Sequence, residues 1–258
     1  MSNKVEISLH NKKAIVTGAG RGIGFKIAEL LANAGASIIV TEIEERFEGL
    51  KKSSEKIENT FGVKVIPTVL DIRNEEDIDR VVNLAIKEFD KIDILVNNSG
   101  INIITPSLTT NREEWDMVLD INLKGTFFLT QGVAKNMIKN RSGAIVSIAS
   151  QHGVVGNELR AAYCSSKAGI VNLTKALSYE WAKYGIRVNA VSPTYVLTEV
   201  NGELLNSNDF MRKSLNKIPL RRYATPLDVA NAVLFLSSEL SSMITGHNLL
   251  VDGGYTAI

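Results

Sequence analysis

Thr17-Gly18-Ala19-Gly20-Arg21-Gly22-Ile23-Gly24 follows a short apolar run and opens a segment of helical period, and that placement decides the fold. Glycines at these positions let the chain turn sharply from a strand into a helix. They also let the backbone approach a pyrophosphate, whose charge the first N–H groups of the helix and its dipole stabilise. Outward from this turn, β-branched runs alternate with longer segments of helical period, the pattern of a parallel sheet with helices on both faces. The apolar runs predict strands at Ala14 to Thr17, Ser37 to Thr41, Val63 to Val69, Ile92 to Asn97, Ala144 to Ala149, Arg187 to Ser192 and Asn248 to Val251. Between them the period predicts helices at Ile23 to Ala34, Glu45 to Phe61, Glu75 to Phe89, Arg112 to Asn140, Tyr163 to Lys183 and Leu227 to Ser237, with starts at Asn74 and at Thr225-Pro226. Gly125 and Gly132 interrupt the longest of these, so a break is expected near Asn122 to Gly125. The expected class is α/β: one doubly wound parallel sheet of about seven strands with helices on both faces, in a single domain spanning 1–258. A polar stretch around 195–222 without strand pattern reads as an insertion that covers a ligand.

The 258 residues carry 29 basic and 28 acidic side chains, a formal net charge of +1. So balanced a chain offers no broad attraction for nucleic acid or an anionic membrane, which points to a small molecule as the partner. No run approaches the ~20 apolar residues of a membrane span, and Met1 to Lys12 holds no apolar stretch of signal-peptide length, so the expected address is the cytoplasm. The single cysteine, Cys164, can form no internal disulfide, and no Cys/His cluster has metal-ligand spacing, so no metal is expected. Phe127 to Met137 and Gly169 to Trp181 are apolar on more than one helical face, which suggests burial against a second subunit as well as the sheet.

Two further features carry chemistry. Glu42 ends the second predicted strand, at the spacing where a carboxylate grips the adenosine ribose hydroxyls, and so favours NAD over NADP. A 2′-phosphate held ~5 Å from that carboxylate is repelled by several kcal/mol at an effective dielectric near 20. Arg21 argues the other way, since a guanidinium in the glycine turn can pair with such a phosphate, but Ile43 supplies no second cation. The plainer reading of Glu42 is that it begins an acidic surface run with Glu44 and Glu45. Tyr163 and Lys167 sit four apart at the start of a helix and project from one face. A phenol of pKa ~10 is a poor base until a cation lowers it. Lys167 at ~4 Å supplies about 4 kcal/mol at a dielectric of ~20, or roughly three pKa units, and an oxidised nicotinamide ring adds to it.

Taken in order, the glycine turn, Asn97-Asn98-Ser99-Gly100, Asn122, Ser150, Tyr163 to Lys167, Ser192-Pro193 and Val251-Asp252-Gly253-Gly254 resemble the motifs of the short-chain dehydrogenase/reductases over nearly the whole chain. The resemblance implies a Rossmann-type fold, a nicotinamide cofactor, a homodimer or homotetramer, and a set of roles. Tyr163 is then the general acid/base, Ser150 holds the substrate oxygen, Lys167 binds the nicotinamide ribose and tunes Tyr163, and Asn122 anchors a water in the proton relay. For the cofactor it implies Gly18, Arg21, Gly22, Ile23 and Gly24 at the phosphates, with Glu42, Asp71, Ile72, Asn98, Gly100, Val196 and Thr198 along the adenine, ribose and carboxamide. Ser99 stands where the family usually has alanine, which bears only on local packing, and Thr194 where it usually has glycine, which puts the loop seating the nicotinamide in question.

The loop from Ser150 to Tyr163 holds Gln151, His152, Asn157, Glu158 and Arg160, a wall of hydrogen-bonding groups suited to a hydroxylated ligand. Arg160 can take a carboxylate in a forked pair of hydrogen bonds, which points to an aldonate. Ser150-Gln151-His152-Gly153, Ser192-Pro193-Thr194-Tyr195 and Asp252-Gly253-Gly254-Tyr255-Thr256-Ala257 also resemble the gluconate 5-dehydrogenase-like branch. The plainer reading makes His152 and Arg160 surface or subunit contacts. Three other functions stay open: an NADPH-dependent 3-oxoacyl or other ketone reductase, a non-catalytic dinucleotide-binding regulator, and a hydrolase using Ser150 and His152. The last lacks a Gly-x-Ser-x-Gly elbow and an identifiable third residue.

Overall fold

Residues on successive positions of each strand face opposite helix layers, and this alternation builds the molecule. A computed structural model describes residues 7–199, 201–205, 211 and 214–257, with backbone alone at 203 and 204. Its strands are β1 (Lys13–Val16), β2 (Ser37–Glu42), β3 (Val65–Val69), β4 (Ile94–Asn97), β5 (Gly143–Ile148), β6 (Ile186–Pro193) and β7 (Asn248–Val251). They form one sheet in the order β3-β2-β1-β4-β5-β6-β7, with every pair parallel. The helices are α1 (Gly22–Asn33), α2 (Phe47–Phe61), α3 (Glu75–Phe89), α4 (Arg112–Leu119), α5 (Thr126–Asn140), α6 (Ala161–Trp181), α7 (Gly202–Leu205) and α8 (Pro226–Ser237).

Ala14, Val16, Ile38, Val40 and Val96 pack into one core with Ile27 and Leu31 of α1 and Val229 and Val233 of α8. Their neighbours Ile15, Ile39, Leu95 and Ile145 face the other layer, where Val81 of α3, Leu129 and Val133 of α5, and Leu177 of α6 close a second core. Strands covered on both faces read as nearly unbroken apolar runs because neither face meets water.

Local chemistry sets the boundaries. The Asn74 side chain accepts from the Glu76 and Asp77 N–H groups at 2.8 and 3.3 Å, and Thr225 and Asp228 form a reciprocal capping box at the start of α8. The break expected near Asn122 to Gly125 is a turn of π-helix, Asp120–Gly125, joining α4 to α5. Strand order reverses on either side of β1, so the carboxyl ends of β1 and β4 diverge and open a crevice. Of the insertion expected around 195–222, residues 200, 206–210, 212 and 213 lie outside the described residues. Val196 bridges to Ala224 at its root.

Candidate active site

A cavity of about 460 Å³ opens along this crevice. At one end it is lined by Gly18, Arg21, Gly22, Ile23 and Gly24, with Glu42 beside them. Gly18 and Gly22 take φ of +60° and +56°, and a Cβ on Gly24 would lie 2.2 Å from the Gly18 carbonyl oxygen, so α1 starts where only glycine permits. No side chain caps α1, and its first turn holds no acidic residue, which leaves its N–H groups and dipole available to an anion. These features fit a dinucleotide pyrophosphate.

The Thr17 hydroxyl accepts from the N–H groups of Asn98 and Ser99, each at 2.9 Å. The Asn98 amide donates back to the carbonyls of Thr17 and Gly18 at 2.9 and 3.0 Å. Asn98 thus ties the glycine turn to the end of β4, and Thr17, which opens the motif but was given no role in it, is the other half of that tie. Thr198 approaches Gly22, and both Thr198 and Val196 line the cavity.

Glu42 is 8% exposed, and its Oε1 accepts from the Ile43 N–H at 3.1 Å. The Arg46 guanidinium stands 4.0 Å from the same oxygen. A second cation is therefore present one helical turn on, although residue 43 itself supplies none. Asp71 and Ile72 do not line this cavity. Asp71 faces outward, where Arg73 Nη2 donates to it at 2.6 Å and holds its carboxyl below the usual carboxylate range, and Ile72 is buried.

At the other end Ser150 follows β5 and Tyr163 and Lys167 project from the first turns of α6. Ser150 and Tyr163 both line the cavity, with Ser150 near enough to act on the phenol. Lys167 Nζ donates to the Ile148 carbonyl at 2.8 Å and lies 5.8 Å from the centre of the Tyr163 ring. Burial pulls Lys167 down to about 8. Burial also pushes the Tyr163 phenol up, opposed by the neighbouring Ser150 hydroxyl and the Arg160 charge. The expected lowering of Tyr163 by Lys167 is thus absent from the protein alone: desolvation dominates, and the ammonium is engaged by a carbonyl rather than by the phenol.

Asn122 is 1% exposed, and its side chain accepts from the Ile101 N–H at 2.8 Å while donating to the Ile101 carbonyl at 2.9 Å and to Ser166 Oγ at 3.0 Å. It pins the segment after β4 to α6, and its Oδ1 is 3.1 Å from where a Cβ on Gly100 would stand.

The wall beyond Ser150 is polar. The His152 ring Nε2 faces the amide nitrogens of Gln151 and Asn157 at 3.3 and 3.2 Å, which makes Nε2 an acceptor and puts the proton on Nδ1. Burial, then the charges of Arg160 and Lys217, brings His152 down to about 4, so the ring is neutral. His152 Nδ1, Gln151 Oε1 and Thr194 Oγ1 are buried without a partner among the described residues. The His152 backbone N–H donates to Ser150 Oγ at 3.1 Å, whereas its ring is turned to the amides, an arrangement that gives a hydrolase no nucleophile–base pair. Arg160 forms no ion pair among the described residues, and its guanidinium donates only to the Glu158 carbonyl at 3.3 Å. Residue spacing alone did not bring Tyr195, Ile101 or Asn201 to this cavity; each reaches it from a loop whose path depends on the strand order.

The family described as enoyl-(acyl carrier protein) reductase matches residues 18–256. The chain is 38% identical over 251 residues to an NAD-dependent glycerol dehydrogenase of Listeria innocua, covering 97% of this chain and 96% of that one. It is 42% identical over 250 residues to a 3-oxoacyl-(acyl-carrier-protein) reductase of Aquifex aeolicus, covering 97% and 99%. A solved structure from Beutenbergia cavernae, provisionally described as an NAD(P)-dependent gluconate 5-dehydrogenase, superposes with a TM-score of 0.91 at 35% identity, covering 97% and 99%.

Proposed function

The chain belongs to the short-chain dehydrogenase/reductase family, and from that premise we propose that it moves a hydride between a nicotinamide cofactor, NAD(H) rather than NADP(H), and a small hydroxylated substrate: a sugar, a sugar acid of gluconate type or a polyol. One observation carries the reaction class: the Ser150 and Tyr163 hydroxyls share a cavity with Lys167 and the uncapped glycine turn. Bound there, the cofactor supplies the two-electron chemistry that no side chain provides.

The chain's own residues do the rest. Ser150 Oγ donates to the substrate oxygen and holds its carbon in place, while Tyr163 Oη exchanges the proton with that oxygen. A phenol held high by burial keeps its proton at neutral pH, which suits donation to a carbonyl; accepting a proton from an alcohol needs added positive charge beside it, and Lys167 is the nearest cation of the chain on α6. The Asn122 side chain is taken up by Ile101 and Ser166, so a relay water at this residue would rest on its backbone oxygen. The glycine turn, Glu42, Asn98, Gly100, Val196 and Thr198 would hold the cofactor; Asp71 and Ile72 are proposed at its adenine with less support, since neither faces the cavity.

The polar wall supports the substrate class. Arg160 without an ion pair, a neutral His152 donor and the amides of Gln151 and Asn157 match a ligand with many hydroxyls and a carboxylate. We place the protein in the cytoplasm as a homodimer or homotetramer acting as one domain, with the segment around 195–222 over the substrate. No helix among the described residues is long and apolar enough to cross a membrane. A second reading, an NADPH-dependent 3-oxoacyl reductase, is favoured by Arg46 beside Glu42 and by the identity with the Aquifex aeolicus enzyme. A panel of polyols, sugar acids and 3-oxoacyl thioesters, each assayed with both cofactors, separates the two. Turnover of thioesters alone overturns the sugar assignment, and Arg160→Ala should raise KM for a sugar acid far more than for a neutral polyol.

A further inference from the structure

Behind the cavity wall stands a ring that neither the glycine turn nor the reacting groups use. Tyr255 lies 6.1 Å from the His152 ring and 6.3 Å from the Tyr195 ring, edge to face with both. His152 and Tyr195 line the cavity and also meet each other at 5.8 Å, edge to face. Asn157 Nδ2 faces His152 Nε2 of the same group at 3.2 Å.

The chain that carries Tyr255 is held with unusual firmness for a loop beyond the last strand. The buried Asp252 carboxylate accepts from the Gly254 N–H at 2.9 Å and from the Thr256 N–H and hydroxyl at 2.9 and 2.7 Å. Gly253 and Gly254 take φ of +61° and +88°, and a Cβ at either would press on Ile218 or Pro219 at 2.7 and 3.0 Å. The Leu220 N–H donates to the Gly253 carbonyl at 3.1 Å, which fastens this turn under the insertion.

We propose that Tyr255 is a positioning residue that sets substrate affinity: the Asp252-capped turn presses its ring against His152 and Tyr195 and so fixes the polar wall the substrate meets. His152 is two residues from Ser150 and gives it a backbone hydrogen bond, so the wall and the reacting centre are rigidly spaced. Edge-to-face contact of three rings fixes orientation better than apolar packing alone. The inference rests on the reading of this cavity as the seat of alcohol and carbonyl chemistry, and it holds for whichever substrate class is turned over there.

The test compares Tyr255→Ala and Tyr255→Phe with the wild type on gluconate, threitol and acetoacetyl thioester, measuring kcat and KM for each and the Kd of NAD(H) by fluorescence titration. For every probe the wild type turns over, Tyr255→Ala is expected to raise KM about tenfold, with kcat within about threefold and the NAD(H) Kd within about twofold; Tyr255→Phe, which keeps the ring, should restore KM to within about threefold. Unchanged KM in Tyr255→Ala overturns the proposal, as does a parallel loss of cofactor binding or equal damage in Tyr255→Phe. If the thioester is the only substrate of the wild type, the sugar reading fails while the same comparison still decides the role of Tyr255.

Discussion

Lys167 is 5% exposed, and among the described residues its ammonium has no carboxylate beside it, only the Ile148 carbonyl. Burying that charge costs free energy at every pH below about 8, where the folded protein still protonates it, and the cost fades as pH rises toward the ordinary lysine value. Lys167→Met should therefore raise the melting midpoint by about 2–4 °C while abolishing turnover, since functional charges are held against stability; a lower midpoint in calorimetry would contradict this. His152 gives a slope of the same sign in a lower pH window. Its folded pKa of about 4 lies below its ordinary 6.5, so folding expels a proton between those values. The stability it contributes is complete above pH 6.5 and is lost as pH falls toward 4, by up to about 3 kcal/mol. Urea unfolding across that window should show the loss in the wild type and a flatter dependence in His152→Gln; identical slopes would remove His152 as the cause.

The proposed preference for NAD(H) rests on the end of β2. Glu42→Ala removes the carboxylate while leaving Arg46 and Arg21 nearby, so the ratio of kcat/KM for NADP(H) over NAD(H) should rise by at least about tenfold, several kcal/mol of repulsion being relieved in part. Comparable constants for both cofactors in the wild type would show that Glu42 is not the discriminator. The elements themselves were readable because their signals are local: β4 is apolar on both faces, and Thr225-Pro226 announces α8 by a cap and a proline. Less local features were not. Val63 to Lys64 and Ile92 to Asp93 look like strand but lie outside the ladders that define β3 and β4. The two glycines in Arg112 to Asn140 predicted a break, yet the π-helical turn that buries Asn122 depends on Ile101 and Ser166, which are 21 and 44 residues away. Asp71 matched a motif by position, but Arg73, two residues on, claims its carboxylate.

For the whole molecule, the alternation of strand and helix was enough to read the parallel sheet, whereas the strand order that opens its crevice came only with the structure. The three-ring cluster was beyond that reading: His152 and Tyr255 are brought together only when β5 and β7 take their places across β6. The outer surface carries Trp115, Met117 and Phe128 between 39% and 46% exposed and Tyr179 at 92%, on α4, α5 and α6. Burial of such apolar area is the expectation behind a homodimer or homotetramer, and light scattering should return two or four times the mass of 28.2 kDa. A monomer at micromolar concentration would contradict it. The central claim, that this cavity exchanges a hydride with Tyr163 as the proton-transferring group, is tested most directly by following reduced-nicotinamide absorbance for the wild type and Tyr163→Phe across the polyol, sugar-acid and thioester panel. The account predicts turnover by the wild type, a loss of about 10²–10⁴-fold in Tyr163→Phe, and an NAD(H) Kd changed by less than about twofold; near-normal turnover by Tyr163→Phe, or no hydride exchange by the wild type with any of these substrates, would contradict it.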